Sequence, residues 1–398
     1  MLQIHWHSKT WFKLRFSGFD DEWKTYKLKD LLHNKSSSIS INQLDDNVGN
    51  YPLYGASGFL KCIDFYEMDS DYISIVKDGS GVGNISFHEK NTSVVNTSQY
   101  ILPKENLNIH FIFYLLQTIN LNKYKTGSTI PHIYFKDYSI EKVKIPKYDE
   151  QKKIGILLKN LDAKIEILDN KLQMCQNFKK YLMQQIFTQK LRFDFKEEWN
   201  QYKLKELLTV KSSGISINQM EENSGEYPLY GASGFIKNID FCEMESDYIS
   251  IVKDGSGVGN LSYHEKNSSI VNTSQYLLPK KNFDIHFLYY QLQTLNLLKY
   301  VNGSSIPHIY FKDYCIEKVA VPSLPEQQKI GKLFVDTDKT LENIKNSIHS
   351  TQEFKKGLLQ QMFVVRINWR CNFKLAKSSS FNKHLLILKN KIIFIIIK

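Results

Sequence analysis

Hydrophobic and polar positions alternate along the chain in two textures, and each texture occurs twice. From about Trp23 to Ile145 short apolar runs are broken by turn residues. Tyr72-Ile73-Ser74-Ile75-Val76 predicts a strand closed by the turn-prone Lys77-Asp78-Gly79-Ser80-Gly81. Ser93-Val94-Val95 and Tyr100-Ile101-Leu102 predict further short strands. His110 to Leu121 reads as a helix, because Phe111, Tyr114, Leu115 and Ile119 share one face. This part is mixed α and β.

After Ile145-Pro146 the texture changes to a long helix. Ile154, Leu158, Leu161, Ile165, Leu168, Leu172 and Cys175 step alternately by four and three, a heptad seam that continues through Lys179, Leu182 and Ile186. From Ile154 to Phe187 such a rod runs roughly 50 Å at the helical rise. A second seam carries Ile330, Phe334, Leu341, Ile344, Ile348, Leu358 and Met362, interrupted by Thr337, Thr351 and Lys355. Pro322 and Pro325 stand just before it, where proline is tolerated. An apolar stripe at this spacing is ordinarily core. Two matching stripes in one chain offer each other a partner, so an intramolecular antiparallel pair is expected.

The doubling is literal. Tyr51-Pro52-Leu53-Tyr54-Gly55-Ala56-Ser57-Gly58 returns unchanged at Tyr227 to Gly234, an offset of 176 residues. Asp71 to Asn84 returns at Asp247 to Asn260, Val95 to Tyr100 at Val271 to Tyr276, and Ile133 to Tyr138 at Ile309 to Tyr314, all at the same offset. The unit is too long for a solenoid repeat and amounts to a whole domain with its connector. No cysteine is matched between the copies, which excludes a catalytic thiol shared by both. None forms a Cys-x-x-Cys pair, so buried free thiols of a reducing compartment are the expectation for Cys62, Cys175, Cys242, Cys315 and Cys371.

Composition narrows the class. The 398 residues are 42% hydrophobic and 23% charged, as in globular proteins, with no apolar run long enough to span a bilayer and no secretory leader at the start; a cytoplasmic protein is expected. The net charge of +11 is concentrated: eight basic residues and no acid lie from Val364 to Lys398, and without them 44 basic residues face 41 acidic ones. Any polyanion site in the folded part is therefore a local patch.

Motifs of chemistry fail one by one. Gly79-Ser80-Gly81-Val82-Gly83-Asn84 lacks the Gly-Lys-Ser/Thr of a phosphate loop and the spacing of a dinucleotide loop, and Ile85 to His88, directly after it, reads as a strand. It is a hairpin turn, or a place where small residues let a ligand come close, edged by Lys77 and Asn84. No Pro-Pro of an amino-methyltransferase and no Pro-Asp of a nuclease occurs. His132 and His308 near Asp137 and Asp313 could serve as base and carboxylate, or as exposed loop histidines with a hydrogen bond. His5 and His7 have no third metal ligand nearby.

What remains is a set of polar loops, duplicated. Asn96, Thr97 and Gln99, with Asn272, Thr273 and Gln275, carry groups able to pair with adenine edges or phosphates. Lys123, Lys125 and Ser128 combine cations and small donors beside Tyr124; the counterpart keeps Lys299 and Ser304 but has Val301 for Lys125. That exchange is expected to change phosphate affinity more than sequence choice. To these candidates for DNA contact are added Tyr54, Ser57, Lys77, Ser80, Asn84, His132, Tyr134 and Lys136, with their copies Tyr230, Ser233, Lys253, Ser256, Asn260, His308, Tyr310 and Lys312.

With these motifs in order, the sequence resembles a type I restriction–modification specificity subunit. The likeness rests on Lys13-Leu14-Arg15-Phe16 with Trp23, Lys190-Leu191-Arg192-Phe193 with Trp199, Tyr54-Gly55-Ala56-Ser57-Gly58, Lys77-Asp78-Gly79-Ser80-Gly81, and the helix entries Glu150-Gln151-Lys152-Lys153-Ile154 and Pro325-Glu326-Gln327-Gln328-Lys329-Ile330. It implies an α+β fold: two mixed α/β target-recognition domains joined by two long antiparallel coiled-coil helices, with internal pseudo-two-fold symmetry. The implied divisions are an extension at 1–20, recognition domains at 21–147 and 191–324, spacer helices at 148–190 and 325–364, and an atypical basic and apolar tail at 365–398. The resemblance further implies a non-catalytic subunit that reads a bipartite double-stranded DNA target. Two modification subunits and the restriction subunits would bring S-adenosylmethionine, ATP and magnesium, with no cofactor on this chain and no membrane partner. Near-identical domains imply a palindromic target. A bivalent protein- or glycan-binding scaffold is the alternative, and a self-sufficient enzyme a second one. The tail reads as translation past a recombined gene boundary, or as a peripheral membrane or partner-binding segment.

Overall fold

The structure, a computed structural model, describes residues 2–7, 11–44, 49–217 and 225–363, with side chains described from Leu14 onward. The tail and Cys371 lie outside the described residues, as do the side chains of His5 and His7. The chain divides into two compact units: Met1–Ile165 with Ser350–Lys398, and Glu166–His349.

Unit 1 opens on a hairpin of β1 (Leu2–His7) and β2 (Trp11–Phe16). β3 (Lys24–Lys27), the single turn α1 (Leu28–Leu31) and β4 (Leu32–Ser36) follow. Next come β5 (Tyr51–Gly55), β6 (Gly58–Ile63), β7 (Tyr72–Val76), β8 (Ile85–His88), β9 (Ser93–Val94) and β10 (Ser98–Pro103). An antiparallel sheet runs in the order β4-β10-β7-β8, and a smaller one, β6-β5-β9, lies beside it with β5 and β9 parallel. β7 is the apolar strand expected, buried along all five residues. Its one polar residue, Ser74, bonds His88 Nε2 at 2.9 Å, and burial pushes the His88 imidazole down to about 4.

α2 (Ile109–Gln117) covers this sheet, capped by the Asn108 side chain accepting from the Phe111 N–H. It ends a turn short of the predicted Leu121. Thr118 turns its hydroxyl onto the Leu115 carbonyl at 2.7 Å, and Asn120 starts a separate 3₁₀ turn at Leu121–Tyr124. α3 (Phe135–Tyr138) and β11 (Lys142–Ile145), paired with β3, lead to α4 (Tyr148–Phe187), 40 residues and so roughly 60 Å long.

The start of α4 is where the domain is fastened. Glu150, buried, takes both Arg15 guanidinium donors at 2.9 and 2.6 Å and the Trp23 indole N–H at 3.2 Å. Gln151 accepts the Asn108 amide at 3.0 Å and donates to the Pro146 carbonyl at 2.9 Å. Gly155 lets α2 come this close, since a Cβ there would stand 2.6 Å from Asn108 Oδ1.

In unit 2, β12 (Asn200–Lys203), α5 (Leu204–Leu207) and β13 (Leu208–Ser212) repeat the opening. β14 (Tyr227–Gly231), β15 (Gly234–Ile239), β16 (Tyr248–Val252), β17 (Leu261–His264), β18 (Ser269–Ile270) and β19 (Ser274–Pro279) rebuild the sheets in the orders β13-β19-β16-β17 and β15-β14-β18. α6 (Ile285–Gln293), α7 (Phe311–Tyr314), β20 (Lys318–Val321) and α8 (Leu324–Phe363) complete the copy.

Each unit holds a stretch of both long helices. In unit 1, Phe363 near the end of α8 packs on Trp23 and Phe111, beside the start of α4, while Lys355 reaches Asp162 further along α4 at 2.6 Å. The helices therefore run antiparallel there. In unit 2, Phe187 stacks on Phe334, and Lys179 meets Asp338 at 2.5 Å, the same opposed sense. Those two lysines are the charges that interrupt the heptad seams. Each sits over a tyrosine ring, Tyr114 or Tyr290, whose hydroxyl donates to the same aspartate at 2.6 or 2.7 Å. Four of the cysteines are free, but half-buried rather than buried as expected.

Candidate nucleic-acid interface

β7 ends, and β8 and β10 begin, at one edge of the four-stranded sheet, and the predicted loops gather there. The Lys77 and Asp78 amides donate to the Thr97 carbonyl at 2.8 and 3.2 Å. Gly79 donates to the Pro131 carbonyl at 2.9 Å, Ile133 to that of Lys77 at 2.9 Å, and His132 and Thr126 exchange bonds at 2.8 and 2.9 Å. Gly79, Gly81 and Gly83 hold φ of 83, 85 and 87°, left-handed values that a Cβ disfavours. The β5–β6 turn joins the cluster, because a Cβ on Gly81 would stand 3.5 Å from that of Ala56. Four segments far apart in sequence thus form one polar face.

On that face Ser57, Ser80, Asn84, Asn96, Lys123, Lys125, Ser128, Tyr134 and Lys136 are exposed, and Tyr54, Lys77, Thr97 and His132 half-buried. Gln99 is a correction. It is 3% exposed, turned inward by the alternation of β10, and donates to the Tyr138 hydroxyl at 2.9 Å, so it holds the core instead of a ligand. His132 lies half-buried, its Nδ1 3.4 Å from the Ile130 carbonyl and its ring edge-on to Tyr134.

Unit 2 builds the same face with the same bonds: Lys253 and Asp254 onto Thr273, Gly255 onto Pro307, Ile309 onto Lys253, and Asn302 with His308. Ser233, Ser256, Asn260, Asn272, Thr273, Lys299, Ser304, Tyr310 and Lys312 are exposed, and Tyr230, Lys253, Gln275 and His308 half-buried.

The lysines are not equivalent. Lys123 is paired with Glu141, which also takes the Tyr124 hydroxyl; that bond raises the Lys123 pKa and lowers that of Glu141. Lys299 repeats this with Glu317 and Tyr300. Lys77 faces Asp78 at 3.8 Å, and Lys253 faces Asp254 at 2.9 Å. Lys136 and Lys312 lie over the Tyr134 and Tyr310 rings. Lys125 has no carboxylate partner among the described residues. Its ammonium hangs over the glycine turn, 3.9 Å from where a Cβ on Gly83 would stand.

Two exposed apolar residues on this face escaped the sequence reading. Phe59, beside Tyr54 at the β5–β6 turn, is 60% exposed, and Ile130, before Pro131, is 67% exposed; Phe235 and Ile306 match them. In a hydrophobic pattern both read as core, and only their places in turns hint otherwise. The arrangement has open amides, hydroxyls, cations and a few bare apolar tips. It suits recognition of a polar polymer. Among the described residues no cluster of potential metal ligands occurs, and no helix is long and apolar enough to cross a membrane.

Comparison with known proteins agrees with this picture. The family described as the type I restriction modification DNA specificity domain matches twice, at residues 20–175 and 196–350. A putative type I specificity subunit of Mycoplasma genitalium is 25% identical over 73% of this chain and 80% of its own length, and one of Mycoplasma pneumoniae 26% over 66% and 74%. The specificity subunit of the type I restriction enzyme MjaVIII from Methanocaldococcus jannaschii is 27% identical, but the match spans only 45% of either chain. In fold, the chain is similar to the crystal structure of a type I restriction–modification S subunit from M. genitalium, with a TM-score of 0.70 at 21% identity over 88% of this chain and 98% of that one. With both units matched, the chain belongs to the family of type I restriction–modification DNA specificity subunits.

Proposed function

We propose that each unit lays its loop face on one half of a bipartite double-stranded DNA target, and that the halves are the same sequence in reverse complement. The observation that carries this is the identity of the two faces outside the loop of residues 122–129. Tyr51 to Phe59, Asp71 to Asn84, Val95 to Tyr100 and Ile130 to Tyr138 recur without change in unit 2. In this proposal a pseudo-two-fold axis would relate the units, and two such readers would take the same bases on opposite strands, as symmetric dimers do on palindromic operators. The antiparallel helices would set the gap between half-sites. The chain would be the non-catalytic address of a cytoplasmic complex whose modification subunits, two in number, methylate adenine and whose restriction subunits cleave. S-adenosylmethionine, ATP and magnesium belong to those partners. The polar contact residues named above, Gln99 excepted, are the proposed DNA contacts.

Methylome sequencing of cells carrying this chain with its modification subunits tests the proposal. The expected result is 6-methyladenine within a hyphenated palindrome. Two unrelated half-sites would refute it, and failure of the complex to shift any member of a random DNA library would favour the scaffold alternative.

A further inference from the structure

We infer that unit 1 holds the DNA backbone at one phosphate more than unit 2, so that two faces reading the same bases grip with unequal strength. This rests on the DNA reading proposed above and concerns the part of each face that does not read bases.

The faces differ only in the loop of residues 122–129. There Asn122, Lys125, Thr126 and Thr129 are replaced by Leu298, Val301, Asn302 and Ser305. Only the second exchange alters charge. In unit 1 the Lys125 side chain crosses the glycine turn: a Cβ on Gly83 would meet its Cε at 3.4 Å and its ammonium at 3.9 Å. The amides of Ser80 and Gly81, in the same turn, have no partner among the described residues. An unpaired cation beside open N–H donors is what a phosphate diester takes, through charge and hydrogen bonds together.

In unit 2 the same place is filled otherwise. A Cβ on Gly259 would meet Leu298 Cδ2 at 3.1 Å, and Leu298 is 64% exposed. The turn and its amides persist at Ser256 and Gly257, but the cation is gone. Lys299 cannot replace it, because Glu317 holds it as Glu141 holds Lys123. Unit 1 therefore makes the first hold on DNA and the last release, while base choice stays equal.

The test uses the full chain assembled with its modification subunits, bound to a duplex carrying the methylated motif, with affinity followed as potassium chloride is raised. Lys125→Val should make the slope of log K against log salt shallower by about 0.9, the value for one phosphate on B-DNA. Leu298→Asn with Val301→Lys should steepen it by about as much. Over a fourfold rise in salt each shift is roughly three- to fourfold in affinity. Both variants install residues that the other unit already carries in the same loop, and thermal midpoints check that the fold is kept. An unchanged slope in Lys125→Val would overturn the inference. So would an altered methylation motif, which would make Lys125 a base reader. A wild-type motif of two unrelated half-sites would remove the palindromic reading while leaving the slope comparison in force.

Discussion

Where Trp23 of unit 1 gives its indole N–H to Glu150, Trp199 of unit 2 finds no acceptor; where Gln99 reaches the Tyr138 hydroxyl, the buried Tyr314 hydroxyl stands alone. A third orphan, the Oε1 of Gln291, lies in unit 2 where unit 1 has Leu115. Among the described residues all three buried side-chain atoms without a partner fall in unit 2. Yet the loop faces of the two units are the same over most of their length. The interiors differ in whether three buried polar atoms find partners, whereas the exposed polar loops of the face, residues 122–129 apart, are unchanged. Packing alone explains the reverse pattern better, since loop surfaces tolerate change and cores do not. A constraint from outside the chain, such as a shared ligand, accounts for loops that stay fixed.

The comparison can be broken most forcefully at the fastening of each unit to its helix. Glu150→Ala leaves Arg15 buried without its partner, and unit 1 should lose about 3–5 kcal/mol. Glu326→Ala should cost less, because the Arg192 side chain is more open to water and keeps a bond to the Glu197 carbonyl at 2.7 Å. Hydrogen exchange resolved by unit reads both losses, and equal losses would erase the distinction. Next in size, Gln291→Leu removes an orphaned buried acceptor and installs the residue that unit 1 holds; unit 2 should gain about 1–2 kcal/mol, read from its urea midpoint. The smallest effect comes from the tyrosine pair. Tyr138→Phe strands the Gln99 amide and should cost about 1 kcal/mol, whereas Tyr314→Phe should be neutral or slightly stabilising. If both cost the same, an acceptor for Tyr314 exists in solution.

Much of this architecture can be read from the chain because its cause is periodic. The heptad steps from Ile154 onward place α4, and the buried run at Tyr72–Val76 places β7, since burial on a face or on both sides writes itself into spacing. α2 was harder. Its apolar face continues to Ile119, but Thr118 and Asn120 compete locally for backbone groups and end the helix. The site was legible as a set of loops, because repetition singled them out, and illegible as chemistry. Glu141 lies 18 residues beyond Lys123 and neutralises it, and nothing in the spacing announces that. Gln99 looked like its neighbours Asn96 and Thr97, until the two-residue period of β10 turned it inward. Lys355 and Lys179 looked like flaws in a seam, but Asp162 and Asp338 answer them.

Leu358, Met362 and Phe363 belong to the core of Trp23 and Phe111, so unit 1 is stitched from both ends of the described chain. On the ribosome, this reverses the usual schedule. Residues 166–349 emerge as one contiguous block and can close by themselves, whereas the first-made unit waits for the last turns of α8. At roughly 5–20 residues per second that wait lasts about 10–40 s, during which the nascent amino-terminal half shows the cell a bare greasy flank.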